Sequence, residues 1–334
     1  MAVRQQRTLK VLICVSVLLS VVLFWCGLPA SRTVEEDNNL QSSKILSSTA
    51  SQPDSTGIDF KSLFTSSFPE PPCDLGQVLL ILITSAPWHS EARQMIRTTW
   101  AANEQTSYPW QTVFLIGQTY DREVTKMIWN EQQKFGDILV GNYLDTYRNL
   151  TRKVMHGLKW ARDRCQPEYI LKTDDDCFVN TDGLPAFLTE HNIIKTGLYV
   201  GSLFPKDKRM VIREPSSKWY VSPSDYEPDT FPPYVSGIGY ILSLDAADLI
   251  LRAAEYVRPI PVEDVYIGVL AKMAGIQVKS SARFAKHNVN WRVCNYRYLM
   301  VIHHVSPEEQ ELAMGNMLKA RAACQNSTRI LRWK

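Results

Sequence analysis

The sequence predicts an α/β domain built on a mostly parallel, Rossmann-like sheet, set behind an N-terminal apolar span and a polar linker. Three patterns carry that expectation. β-Prone apolar runs alternate with helical spacings from Gln77 to Lys172, the order that parallel strands with crossover helices require. The run Gln77–Ser85 (QVLLILITS) is almost continuously apolar, as in a strand covered on both faces. The uncharged stretch Val11–Leu28 (VLICVSVLLSVVLFWCGL) then sets the compartment.

That stretch is about 18 residues long, enough to cross a bilayer as a helix. Arg4, Arg7 and Lys10 precede it, and no Lys or Arg follows before Arg32. The positive-inside rule therefore leaves a tail, 1–10, in the cytosol, makes 11–28 a signal-anchor, and sends the rest to the far side. A cleaved signal peptide is the alternative, but the run is longer than a usual h-region and no small-x-small site ends it. Its shortness suits a thin, early-secretory membrane. Arg4, Arg7 and Lys10 also account for the formal charge of +3, because setting them aside leaves the remaining Lys and Arg equal to the 34 Asp and Glu. No basic surplus points to nucleic acid. Residues 29–72 are rich in Ser, Thr, Asn and Pro with little periodicity, a composition that cannot offset the cost of ordering it; they read as a lumenal stem before a folded domain at 73–334.

Within that domain, Ala86-Pro87 breaks the first strand and Glu91–Trp100 is helical, with Ser90 available as its cap. Thr112–Gly117 is the second strand, Glu123–Lys134 a helix, Asp137–Val140 the third strand and Leu150–Cys165 a helix. Tyr169–Lys172 is the fourth, and three aspartates, Asp174, Asp175 and Asp176, follow it directly. Leu198–Phe204 is a further strand. Pro232–Tyr240 runs into the apolar Ile241–Ser243, and Ser243 is placed to cap a helix over Asp245–Tyr256.

Ligands of open α/β sheets collect beyond the carboxyl ends of the strands, where Thr84, Gly117 and the aspartates fall. Three adjacent carboxylates either form a solvated acidic turn or hold a hard divalent cation. Arg93 and Arg97 share one helix face, four residues apart; the pair is either a solvated basic face or a bidentate clamp for a diphosphate. ITSAPWHS after the first strand is neither GxGxxG nor a P-loop. The aromatics around Trp219 and Tyr234 fit either a core or a carbohydrate surface. Pro261-Val262-Glu263-Asp264 is either a plain helix start or a carboxylate base at a helix N-terminus. His303 is either structural or a metal ligand. Beyond the span lie Cys73, Cys165, Cys177, Cys294 and Cys324, an odd set in an oxidising compartment. Asn149 and Asn326 open glycosylation sequons.

The ordered motifs resemble the β-1,3-galactosyltransferase family (glycosyltransferase family 31), from about Leu79 to about Pro307. They are Arg93-x-x-Ile96-Arg97-x-Thr99-Trp100, Phe114-Leu115-x-Gly117, Gly136-Asp137-Ile138 and Asp145-x-Tyr147-x-Asn149-Leu150-Thr151-x-Lys153. Lys172-Thr173-Asp174-Asp175-Asp176-x-Phe178-Val179-Asn180, Ser217-Lys218-Trp219, Pro232-Pro233-Tyr234-x-Ser236-Gly237-x-Gly239-Tyr240 and Glu263-Asp264-Val265-x-x-Gly268 follow. The resemblance implies a GT-A glycosyltransferase fold and an inverting β-1,3-transfer of galactose from UDP-galactose to the 3-hydroxyl of a terminal GlcNAc or GalNAc on a glycoprotein or glycolipid. N-acetylglucosamine transfer from UDP-GlcNAc is the alternative, and a non-catalytic glycan-binding protein on the same fold a third. Asp174 and Asp176 are implied to hold Mn2+ with His303. Thr84, Arg93, Arg97, Lys172 and Asp175 are implied on the nucleotide-sugar side, Trp219, Tyr234, Gly237 and Glu263 at the sugar and acceptor sites, and Asp264 as the base. The layout matches a single-pass type II protein of the Golgi membrane. The chain departs from galactosyl members at Val235, where a cysteine is frequent, and at Cys177, where an apolar residue is. Pairs Cys73–Cys165 and Cys294–Cys324 are then expected, with Cys177 a buried thiol.

Overall fold

The computed structural model describes residues 57–64, 67–73, 77–102, 110–192, 194–287 and 292–324. Seven strands form the main sheet in the order β3-β2-β1-β4-β7-β6-β8. They are β1 (Leu79–Thr84), β2 (Trp110–Gln118), β3 (Ile138–Leu144), β4 (Tyr169–Asp174), β6 (Tyr199–Leu203), β7 (Val235–Ser243) and β8 (Lys279–Ser280). The four strands from β3 to β4 are parallel, whereas β7 runs antiparallel to both β4 and β6. The parallel half is thus the alternating half of the sequence.

All six residues of β1 are buried, and they divide between two cores as the strand's twofold alternation demands. Leu79, Ile81 and Ile83 face one core with Ile96 of α1 (Ser90–Thr98) and Met317 of α7 (Pro307–Ala323). Leu80 and Leu82 face the other, with Val154 and Leu158 of α3 (Leu150–Trp160), Ile250 of α5 (Leu244–Ala254) and Leu270 of α6 (Glu263–Met273). The remaining helices are α2 (Arg122–Phe135), whose Asp121 cap accepts from the amides of Glu123 and Val124, and α4 (Leu184–His191). Gly136 ends α2 at φ +67°, a conformation in which a side chain is strained.

Two caps differ from the sequence expectation. Ser90 lies inside the first turn of α1 with His89 as the cap residue. The Ser243 hydroxyl accepts from the Leu198 amide at 2.9 Å instead of closing α5. A second, small sheet, β5-β10-β9, joins β5 (Cys177–Val179), β10 (Val301–His303) and β9 (Phe284–Ala285). It lays β10 antiparallel on β5, with His303 opposite Cys177.

The domain begins upstream of Cys73, within the stretch read as stem. Ile58, Phe60 and Leu63 are buried in the α3 and α5 core, Ile58 donates to Ala254 O, and Phe64 bridges Gly141. Their apolar side chains cover surface that the helices alone leave open. The tail 1–10, the apolar run 11–28, the stem up to residue 56 and Asn326 lie outside the described residues; among those described, no helix is long and apolar enough to cross a membrane. Cys73 is bonded to Cys165, and Cys294 to Cys324. Cys177 is a buried free thiol, which burial pushes well above the ordinary thiol range, so it is inert as a nucleophile.

Gly268 lets α6 lie against the Pro232-Pro233-Tyr234 segment, since a Cβ there would fall inside van der Waals contact with Tyr234 Cβ and 3.1 Å from Pro233 O. Gly268→Ala is expected to lower unfolding stability by about 1–3 kcal/mol, read as a shifted denaturation midpoint with an unchanged slope.

Candidate active site

The parallel register sets Thr84 of β1 beside Asp174 of β4, so the strand ends converge where the aspartates begin. The three carboxylates then part. Asp174 turns inward: its Oδ1 accepts from Thr84 Oγ1 at 2.5 Å and from Lys172 Nζ at 2.7 Å. The Oδ2 of Asp175 accepts from Ser85 Oγ at 2.7 Å and lies 2.8 Å from His89 Nδ1, a bond that raises the imidazole pKa. Asp176 turns to the small sheet, where its Oδ2 stands 3.1 Å from His303 Nε2 and 4.0 Å from His304 Nδ1.

Asp176, His303 and His304 bring ligand atoms within 4.8 Å of one another. His303 Nδ1 lies 3.0 Å from the Lys286 carbonyl, and donating to it frees Nε2 to face Asp176, the arrangement that metal-binding histidines use. His304 holds φ at +61°, unusual outside glycine, and such strain gathers at functional sites. A mixed carboxylate and imidazole set can hold a divalent cation. Asp174 does not belong to it. Asp175, Asp176 and His304 line a cleft of about 460 Å³, walled by Trp88 and His89 before α1 and by Glu309 on α7.

On the other flank, the Asp264 Oδ2 accepts from the Gly237 amide of β7 at 3.0 Å, and its Oδ1 accepts from the Val265 amide at 2.9 Å. Burial pushes this carboxyl above the ordinary range, with the Gly237 amide pulling back. A carboxylate that is partly desolvated yet oriented by two amides is suited to general-base work. The Gly237 carbonyl accepts from Lys172 Nζ at 2.5 Å, so unbroken bonds run from Asp264 through Gly237 and Lys172 to Asp174. A Cβ on Gly237 would sit 3.3 Å from Glu263 Oε2 and 3.5 Å from Asp264 Cβ, so the strand passes close against both carboxylate-bearing residues.

Lys172 and Glu263, expected at the donor and acceptor sites, are buried and bonded within the protein. Lys172 is 0% exposed; burial works against its charge, and Asp174 and Glu263 hold its pKa above the usual lysine range all the same. Glu263 is buried, accepts from Tyr240 OH at 2.6 Å and faces Lys172 at 3.6 Å. Burial raises its carboxyl to about 7. The two arginines expected to clamp the diphosphate are likewise engaged within the protein. Arg93 is fully buried, forked onto Glu131 and bonded to Ser85 Oγ and Ala86 O. Arg97 pairs with Glu131 and Asp137, its guanidinium over the Phe135 ring. The carboxylates that claim both arginines lie on or just after α2, away from the strand ends.

Tyr234 is buried, stacked on Phe204 at 4.7 Å. Trp219 is 48% exposed, with Lys218 Nζ 4.6 Å from its centroid and 5.6 Å from that of Tyr147. Sequence reasoning placed Tyr147 in a motif but gave it no role; its phenol is raised to about 12 by burial and by the nearby Asp264 charge. The same holds of Lys153, which anchors Asp145 and donates to Ser85 O. The sequon is knit into this region: Asn149 Nδ2 donates to Leu144 O and Thr151 Oγ1 to Ile260 O.

Residues 91–282 match the family model described as Galactosyltransferase. The mouse (Mus musculus) β-1,3-galactosyltransferase 1 is 35% identical over 242 residues, covering 72% of this chain and 73% of that one. The chimpanzee (Pan troglodytes) β-1,3-galactosyltransferase 5 is 36% identical over 235 residues, covering 69% and 78%. Among solved structures, the apo WbbM bifunctional glycosyltransferase aligns with 10% identity and a TM-score of 0.42 over 78% of this chain and 53% of that one, too loose a match to carry an argument.

Replacing the buried ammonium strands two carboxylates. Lys172→Met is expected to cost about 3–5 kcal/mol of stability, measured by chemical denaturation.

Proposed function

Since this chain belongs to the galactosyltransferase family and is a glycosyltransferase, we propose that it is an inverting β-1,3-galactosyltransferase. It moves galactose from UDP-galactose to the 3-hydroxyl of a terminal GlcNAc or GalNAc on a glycoprotein or glycolipid. The observation that carries this reading is Asp264, a desolvated carboxylate held by the Gly237 amide and tied through Lys172 to the aspartates. Asp264 takes the acceptor hydroxyl proton as that oxygen attacks the anomeric carbon, and one displacement turns an α-linked donor into a β-linked product. The names of the relatives support the sugar and the linkage, and the parallel half-sheet with its aspartate-bearing strand end supports a GT-A assignment.

Asp176 and His303, with His304, would hold Mn2+, which when bound supplies neutralisation of the departing diphosphate. The cleft beside Asp175 is within the size range of small-molecule sites, and we assign it to the nucleotide. Exposed Trp219 and Tyr147 offer ring faces for the acceptor. The N-terminal span at 11–28 and the lumenal pairing of Cys73–Cys165 and Cys294–Cys324 support an address in the Golgi membrane, with the catalytic domain lumenal.

Transfer of radiolabel from UDP-galactose, and not from UDP-GlcNAc, to β-linked GlcNAc or GalNAc acceptors is the expected outcome, abolished by EDTA and restored by Mn2+; preference for UDP-GlcNAc refutes the donor assignment. Asp264→Asn is expected to lower kcat by at least ~100-fold with the affinity for UDP unchanged. Turnover that survives that substitution removes Asp264 as the base.

A further inference from the structure

Lys286 follows β9, one step past the pairs Val301–Phe284 and Ile302–Ala285. It therefore stands level with His303, to which its carbonyl is bonded. Its side chain reaches the aromatic pair beside β6. The ammonium lies 3.4 Å from the centroid of Phe204, which stacks on Tyr234, and the charge of Asp264 acts on it. The residue is half-buried, yet among the described residues no carboxylate or carbonyl is bonded to Nζ. A partly desolvated ammonium resting on a ring face is held weakly compared with one bonded to an anionic oxygen.

Among the described residues, several other cations at this end of the sheet already have carboxylate partners. Arg93 and Arg97 are taken by Glu131 and Asp137, Lys153 by Asp145, and Lys172 by Asp174 and Glu263. Lys218 sits at the rim over Tyr147 and Trp219. A departing nucleoside diphosphate develops more negative charge than one carboxylate-bound divalent cation offsets, and a preorganised positive group beside it stabilises that charge. We propose that Lys286 binds the diphosphate of the nucleotide-sugar donor, filling the role for which the sequence offers Arg93 and Arg97. This rests on the reading of the chain as a UDP-sugar-dependent transferase. The ammonium moves from the Phe204 ring to a phosphate oxygen when the donor is seated, while its own carbonyl stays bonded to the metal-side His303.

The test is calorimetric binding of UDP and of uridine, with Mn2+ present, to the intact folded domain of wild type, Lys286→Met and Lys286→Arg. Melting temperatures are recorded for each, and Lys286→Gln stands beside the methionine variant in case that one fails to fold. The expected result is about a tenfold or greater loss of UDP affinity in the neutral variants, unchanged uridine affinity, and recovery of most of the loss with arginine. Equal UDP affinity in wild type and a folded neutral variant overturns the proposal, as does an equal loss for uridine. A raised KM confined to acidic acceptors, with UDP binding intact, assigns the ammonium to the acceptor and likewise overturns it. Wild type that binds UDP no better than uridine overturns the UDP-sugar reading itself, a result distinct from a variant-specific failure.

Discussion

A lysine with no exposed surface is costly unless every one of its protons is answered. Lys172 answers them with the Asp174 carboxylate, the Gly237 carbonyl and the more distant Glu263 carboxylate. Those partners come from three segments: the end of β4, the start of β7 and the start of α6. The two strands are neighbours in the sheet, with Lys172 opposite Tyr240 in register, so the ammonium sits where β4 and β7 pair and reaches α6 beyond them. Removing it would leave the buried Glu263 and the half-buried Asp174 without their shared cation. The positions of the aspartates and of Asp264 are in this sense consequences of one ammonium.

Around that centre, charges are sorted by depth. Buried pairs, Arg93 with Glu131 and Lys153 with Asp145, brace the loops that follow β1 and β3, and Ser85 receives both Arg93 and the Lys153 ammonium. Ser85 in turn donates to Asp175. The groups left toward the open side are imidazoles, the Asp176 carboxylate, the Asp264 carboxylate and the Lys286 ammonium. A rigid, fully bonded layer thus supports a layer with capacity to spare, which is how a site keeps its geometry without consuming its own reactive groups.

The alternating half of the chain was legible because β1 to β4 are long and their burial is two-sided, so apolar runs and helical spacings stand out. The aspartates were legible as a strand-end cluster, but not their division, since Asp174, Asp175 and Asp176 differ only in partners that come from Lys172, Ser85 and His303. Arg93 and Arg97 misled for a related reason. Spacing put them on one face, and the acids that claim them, Glu131 and Asp137, lie a strand and a helix further along. The small sheet was invisible because its strands have two or three residues, too few to show a period, and Lys286 went unnoticed with it. Ile58, Phe60 and Leu63 were apolar residues in a polar stretch, spaced for a four-residue 3-10 helix that no periodicity search separates from linker.

The Cys294–Cys324 bond closes a 30-residue interval that contains β10 and all of α7. His303, His304 and the Glu309 wall of the cleft are carried inside that loop. Closing such a loop removes much of the freedom of the unfolded segment, by an amount on the order of 3 kcal/mol in the chain-entropy account. The imidazoles of the site are therefore assembled by a segment whose ordering depends on an oxidised pair at its ends. Catalytic competence is for this reason linked to the thiol chemistry of the place where the chain matures: a copy made among reducing thiols loses the restraint on the half that would grip the cation, along with the Cys73–Cys165 bond ahead of β4.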